Sequence, residues 1–198
     1  MDRNWKPKNK FPDDILALAS VYVPLDGMNE KGLYIADLVA GDNETTAQSR
    51  GKTPLTITSA IRLVLDKAAT VDEAVALLEN HDMHSVIDTA HHFIIADATG
   101  KSVVVEWTEN KMYVSETKVL TNHYVAESPK KDVFTHENSK VRYDMLEKCG
   151  NENNWIMDAE KMKDCMKSVS VGCFDFEAQS ITAWSAVYEP ENKRISYY

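Results

Sequence analysis

Two short runs, His92-Phe93-Ile94-Ile95-Ala96 and Val103-Val104-Val105, carry apolar side chains without alternation. A strand with one wet face alternates apolar and polar residues, so runs like these belong to strands buried on both sides, with one layer above and another below. The strands are read as His91 to Ala98 and Ser102 to Trp107, joined at Thr99-Gly100, followed by Met112 to Glu116 and Val119 to Leu120.

Material for one covering layer precedes them. Ile57, Ile61, Val64, Leu65 and Ala68 recur at helical steps, and Thr70-Val71-Asp72-Glu73 has the capping-box pattern that starts a second helix with Val71, Ala74, Val75, Leu77 and Leu78 as its apolar positions. Ile61, Val64, Leu65, Ala74, Val75 and Leu78 are expected to face the sheet. Ser139 to Lys148 and Asp158 to Val169 read as two further helices, and Ile181 to Tyr188 with Arg194 to Tyr198 as a hairpin across Pro190 to Lys193. Upstream, Val21 to Pro24 and Leu33 to Val39 read as strands around an Asp26-Gly27 turn, while Ile15 to Ala19 fits a helix or a strand. Gly41 to Thr53 and Cys149 to Trp155 read as loops. This order fits an α+β class with four stacked layers, αββα, in a single domain over residues 1–198.

With 43% hydrophobic residues the chain can bury a core, and a formal charge of −9 leaves no basic face for nucleic acid. No apolar run reaches the length of a membrane span, and Met1 to Lys8 lacks the apolar region of a signal peptide, so a cytoplasmic protein without membrane or nucleic-acid partners is expected. Cys149, Cys165 and Cys173 form no Cys-x-x-Cys pair, which disfavours a disulfide framework or zinc site; Cys149 and Cys165 read as small structural residues. No Asp or Cys completes a recognisable ligand set with His81 and His84 or with His91 and His92, and the adjacent pair must point to opposite faces of a strand. No metal and no cofactor is expected. Lys130-Lys131-Asp132 and Glu152-Asn153-Asn154 read as solvated loop surface.

Three segments carry chemistry in combination: Leu25-Asp26-Gly27-Met28-Asn29-Glu30-Lys31-Gly32-Leu33, Leu120-Thr121-Asn122-His123 and Ser139-Lys140-Val141-Arg142-Tyr143. In this order and spacing the chain resembles the linear-amide C–N hydrolases, that is, choloylglycine hydrolases, penicillin V acylases and isopenicillin N acyltransferase-like proteins. The resemblance runs from about Ile15 to Tyr198 and includes softer phrases such as Ala96-Asp97-Ala98-Thr99-Gly100 and Trp184-Ser185-Ala186-Val187-Tyr188. It implies the N-terminal-nucleophile hydrolase fold and a small-molecule N-acyl amide as substrate.

The resemblance also assigns roles. Asn122 takes the place of an asparagine whose N–H donates to a developing oxyanion, against the bland alternative of a turn residue closing a strand. Arg142 takes the place of an arginine that orients the nucleophilic centre or stabilises negative charge, against an ordinary exposed helix arginine. A further oxyanion-hole asparagine falls on Val39, which has no side-chain donor, so that contact is expected from backbone N–H or not at all. Asn29 reads as a turn residue rather than a catalytic one, and His123 as a residue bordering the pocket.

The family's nucleophile is an N-terminal cysteine whose α-amino group acts as base toward its own thiol. This chain begins Met1-Asp2, and a cleavage before Cys173 would leave too little downstream to build a sheet around the new terminus. The expectation is therefore a chain that starts after the nucleophile segment. Four functional readings stay open: a hydrolase of linear amides, an acyltransferase of the same fold, a catalytically inactive fragment or interaction protein, and an unrelated α+β binding domain. Self-association through unpaired strand edges also stays open.

Overall fold

The computed structural model describes residues 12–41, 45–128, 137–170, 182 and 184–198. Cys173, Ile181 and the Lys130-Lys131-Asp132 cluster lie outside them. Along the chain run α1 (Asp13–Ser20), β1 (Asp26–Met28), β2 (Tyr34–Gly41), β3 (Thr53–Thr56), α2 (Ile57–Lys67), α3 (Val71–Glu79), β4 (His81–His84), β5 (Ala90–Ala96), β6 (Ser102–Thr108), β7 (Lys111–Glu116), α4 (Glu137–Glu152), α5 (Ala159–Ser168), β8 (Ala186–Glu189) and β9 (Arg194–Tyr197).

Five strands form one antiparallel sheet in the order β1-β2-β5-β6-β7. Phe93 and Ile95 of β5, with Val103, Val105 and Trp107 of β6, point to the same face and meet Ile61 and Val64 of α2 and Val71, Ala74 and Leu78 of α3 in one apolar core. Leu65 and Val75 pack at its margin. Trp107 stands edge-on to Phe93 with ring centroids 5.0 Å apart. The expected sheet-facing stripes are therefore the ones that face it.

Side chains of the alternate register, His92, Val104, Glu106 and Thr108, are also buried, on the opposite face. There Tyr34 packs against Tyr188 of the β8–β9 hairpin, centroids 4.5 Å apart, and α5 packs on β8. The layers are thus α2/α3, the five-stranded sheet, the hairpin and α5. A short parallel pair, β3 and β4, lies apart from these sheets.

Both core helices start as their sequences dictate. Thr56 and Thr70 accept the N–H groups of Ser59 and Glu73, and Glu73 reaches back to the Ala69 N–H at 2.7 Å. Asp97, at the end of β5, accepts the Val71 N–H at 2.9 Å and the Thr99 N–H at 2.9 Å. One carboxylate thereby docks the start of α3 onto the β5–β6 turn.

Asn29 does comparable work at the other end of α2. Its Oδ1 accepts the N–H groups of Lys31 and Leu33, closing the β1–β2 turn, while its Nδ2 donates to the carbonyls of Leu65 at 3.0 Å and Ala68 at 2.7 Å. Gly32 in that turn has φ +80°, the left-handed region that a glycine adopts without steric cost.

Four sequence expectations are corrected. Val21 to Pro24 is not a strand: the N–H groups of Tyr22 and Val23 still bond back to Ala19 and Ser20, as a continuation of the wound end of α1. Ile15 to Ala19 is accordingly helical, and Asp26-Gly27 lies in β1 rather than in the turn. Val119 and Leu120 are buried without pairing, because Thr117 Oγ1 bonds both the N–H and the carbonyl of Val119. Cys149 to Glu152 continues α4, and its Gly150 is needed there because a Cβ would lie 2.4 Å from the Trp155 ring.

Candidate active site

The segment after β7 crosses the sheet on the face away from α2 and α3 and is held at several points. Glu106, fully buried in β6, accepts the N–H of Val125 at 3.0 Å, the N–H of Ala126 at 2.6 Å and the Nδ1–H of His92 at 3.0 Å. Thr121 Oγ1 donates to the Ser139 carbonyl at 3.1 Å, and His123 Nδ1 lies 2.9 Å from Ser139 Oγ, which ties the segment to the first turn of α4. Burial first, then the nearby Lys140 and His92, hold the His123 ring below its ordinary pKa, against an opposing pull from Glu106 and Asp144.

Between these attachments lies Asn122. Its Nδ2 donates to the Val39 carbonyl at 2.9 Å, and its Oδ1 accepts Arg142 Nη2 at 2.8 Å. The structure therefore joins the two residues that sequence resemblance singled out, across twenty positions of chain. Arg142, half-buried on α4, also donates from Nε to Asn138, one turn back. Burial pulls its guanidinium below the ordinary value, yet a guanidinium keeps its charge in proteins. A cation on Oδ1 polarises the carboxamide and strengthens its N–H groups as donors. With one amide proton on Val39, the carboxamide has a second N–H to offer.

Val39 enters the site through its carbonyl, as the acceptor for Asn122. Asn29 lies at the end of α2, in the structural role the sequence indicated. His123 borders a cleft of about 510 Å³, lined also by Lys118, Tyr124, Tyr143, Glu147 and Trp155.

The other histidines are engaged separately. His91 Nδ1 lies 3.0 Å from Asp37, and its Nε2 lies 2.9 Å from Thr89 Oγ1, on the face opposite His92. His81 Nδ1 lies 2.7 Å from the Leu77 carbonyl. Among the described residues no group of three His, Cys, Asp or Glu could hold a metal ion, and no helix is long and apolar enough to cross a membrane.

Cys149 and Cys165 depart from expectation: they are joined as a disulfide between α4 and α5, with Cα atoms 6.2 Å apart. That separation suits a bridge, and only the packing of two helices creates it from a spacing of 16 residues. Sequence reasoning also missed Glu106, whose signal was a single carboxylate inside an otherwise apolar strand, and Ser139, which carried no signal beyond its place in the Arg142 segment.

The profile of the acyl-coenzyme A:6-aminopenicillanic acid acyl-transferase family matches residues 21–198. The chain belongs to that family. A bile salt hydrolase/transferase from Clostridium perfringens is 36% identical over 110 residues, covering 49% of this chain and 32% of that protein. A penicillin V acylase from Pectobacterium atrosepticum is 31% identical over 110 residues, covering 49% of this chain and 29% of that protein. The matched stretch thus spans about a third of these curated relatives.

Solved structures agree on the fold of this acyl-transferase family member. A mutant conjugated bile acid hydrolase from Clostridium perfringens superposes with TM-score 0.64 and 18% identity, covering 88% of this chain and 71% of that one. A penicillin V acylase from Agrobacterium tumefaciens does so with TM-score 0.67 and 24% identity, covering 89% and 63% respectively. The α+β architecture is that of the N-terminal-nucleophile hydrolases.

Proposed function

We propose that this chain supplies the carbonyl-binding part of an enzyme that cleaves linear N-acyl amides through a cysteine acyl-enzyme, with the cysteine at the head of a segment preceding the sequence described. The observation that carries the reading is the Arg142–Asn122–Val39 chain of hydrogen bonds, which fixes a carboxamide and leaves it one polarised N–H. Family membership and the share of the relatives' length that the chain covers add support.

In this reading the α-amino group of the cysteine takes the thiol proton, and the thiolate attacks the amide carbon. Negative charge moves to the carbonyl oxygen, where Asn122 donates to it. Collapse of the intermediate breaks the C–N bond, the ammonium returns its proton to the departing amine, and a thioester remains. Water then gives the acid, or an amine gives a new amide. The second outcome, acyl transfer, is favoured by one observation, the acyl-transferase profile over residues 21–198.

The deciding experiment compares the 198-residue chain with a chain extended upstream to an N-terminal cysteine, on N-acyl amides. The shorter chain is expected to be inactive and the longer one active. Asn122→Ala in the longer one is expected to lower kcat by about a hundredfold, the effect of losing one oxyanion donor. Amidase turnover by the shorter chain that is indifferent to Asn122→Ala would overturn the reading.

A further inference from the structure

The second face of the sheet holds a feature that the amide chemistry does not use directly: a fully buried carboxylate and imidazole, Glu106 and His92, paired at directly opposing positions of β6 and β5. A charged carboxylate in the middle of a sheet is costly to bury unless several donors converge on it. Here they do, and two of them are backbone N–H groups of the segment that carries Asn122.

We infer that Glu106, with His92 behind it, is a positioning residue that sets where Asn122 presents its carboxamide; the inference rests on the site assignment made above. The segment is fastened to the sheet twice, at Val39 of β2 through Asn122 itself and at Glu106 of β6 through Val125 and Ala126. Glu106 Oε2 takes the Ala126 N–H, and Oε1 takes the Nδ1–H of His92 at 3.0 Å. A carboxylate only accepts, so the ring proton sits on Nδ1. His92 Nε2 is buried without a hydrogen-bond partner among the described residues. Among the described residues the ring of His92 therefore has one hydrogen-bond partner, and that bond orients Glu106. Val125 follows Asn122 so closely in the chain that a shift of the Glu106 anchor passes into the carboxamide with little slack to absorb it.

NMR of the 198-residue chain tests this with no turnover required, so that its outcome is independent of whether the chain, extended or not, proves to be an amidase. Glu106→Gln keeps an oxygen for the Ala126 N–H but places an NH₂ group against His92 Nδ1. The expected result is a switch of His92 to the Nε2–H tautomer, visible in its ring ¹⁵N shifts, together with displaced Asn122 side-chain amide signals. Their exchange with solvent should quicken by about tenfold, the mark of a local opening rather than global unfolding. Signals of Ile61 and Val64 in α2 should stay in place. Glu106→Ala should move Asn122 further; should that variant fail to fold, Glu106→Gln decides alone.

A purely structural Glu106 would lower the melting temperature and leave the Asn122 amide where it was, and that result overturns the inference. If the extended enzyme is active, Glu106→Gln should lower kcat with KM nearly unchanged. An unchanged kcat there would overturn it equally.

Discussion

The two faces of β5 and β6 are buried to a similar degree and by opposite means. Toward α2 and α3, Phe93, Ile95, Val103, Val105 and Trp107 meet aliphatic side chains in one apolar cluster, with hydrogen bonds at its margins from Asp97 and Asn29. Toward the Asn122 segment, Glu106 accepts the N–H groups of Val125 and Ala126 and is held from behind by His92, and Thr121, His123 and Ser139 continue the pattern into α4. Apolar burial is non-directional and scales with area, whereas hydrogen bonds fix angles and leave a cost when broken. The first face therefore supplies stability, and the second supplies geometry.

The sharpest way to break that division is to cut each face and measure both properties. Leu78→Ala, on a fully buried side chain of α3, should cost about 3–5 kcal/mol in denaturant unfolding, from lost transfer free energy plus a cavity. In an extended, active chain it should leave kcat within a factor of about two at temperatures where the protein stays folded. A large loss of kcat alongside stability would show that the helix face also tunes the site.

Arg142→Leu is the reciprocal test. It removes the charge on Asn122 Oδ1 and should lower kcat by about tenfold or more, as for loss of a charge-assisted hydrogen bond. Stability should change by about 1 kcal/mol or less, since the guanidinium is half-exposed. A melting temperature that falls while kcat holds would reverse the assignment of this face.

Smaller effects sharpen the boundary between the faces. Asp97 sits below its ordinary pKa: burial alone would raise it, but the Thr99 hydroxyl and the N–H groups of Val71, Thr99 and Lys101 together overcome that. Because its folded value is depressed, its contribution is complete above the ordinary aspartate range and is lost as pH falls through the folded value. Asp97→Asn should therefore flatten the acid limb of the stability profile and leave neutral-pH kcat unchanged. Thr70→Ala, which removes the α3 cap, should cost about 1 kcal/mol at any pH. A pH-dependent cost for Thr70→Ala would mean that Asp97 and the cap act as one unit.

Legibility in the sequence followed the same division. The helix face could be read because apolar spacing at Ile57, Ile61, Val64 and Ala68 reports burial directly, and because Thr70 and Glu73 mark a helix start through local bonds alone. Asn122 and Arg142 were reached through resemblance; nothing local distinguishes either residue. Their meeting depends on where α4 comes to rest, which is a property of the whole fold.

The failures have physical causes too. Val119 and Leu120 are apolar because they are buried, and an apolar pair does not reveal whether a strand or a threonine side chain satisfies its backbone. Glu106 stands out only as a lone carboxylate in an apolar strand, and its purpose depends on N–H partners about twenty residues downstream. The disulfide was hidden because spacing along a chain carries no information about two helices laid side by side.

Asn29 has a consequence for how this chain can change in length. Its carboxamide reads the last turn of α2 at two carbonyls, Leu65 and Ala68, while its oxygen is committed to the β1–β2 turn. One residue inserted in α2 would rotate those carbonyls by about 100° around the helix axis and advance them about 1.5 Å along it, out of reach of a side chain that cannot follow. Asn29 therefore acts as a ruler: substitutions on the outer side of α2 are free to accumulate, but insertions and deletions within it are not.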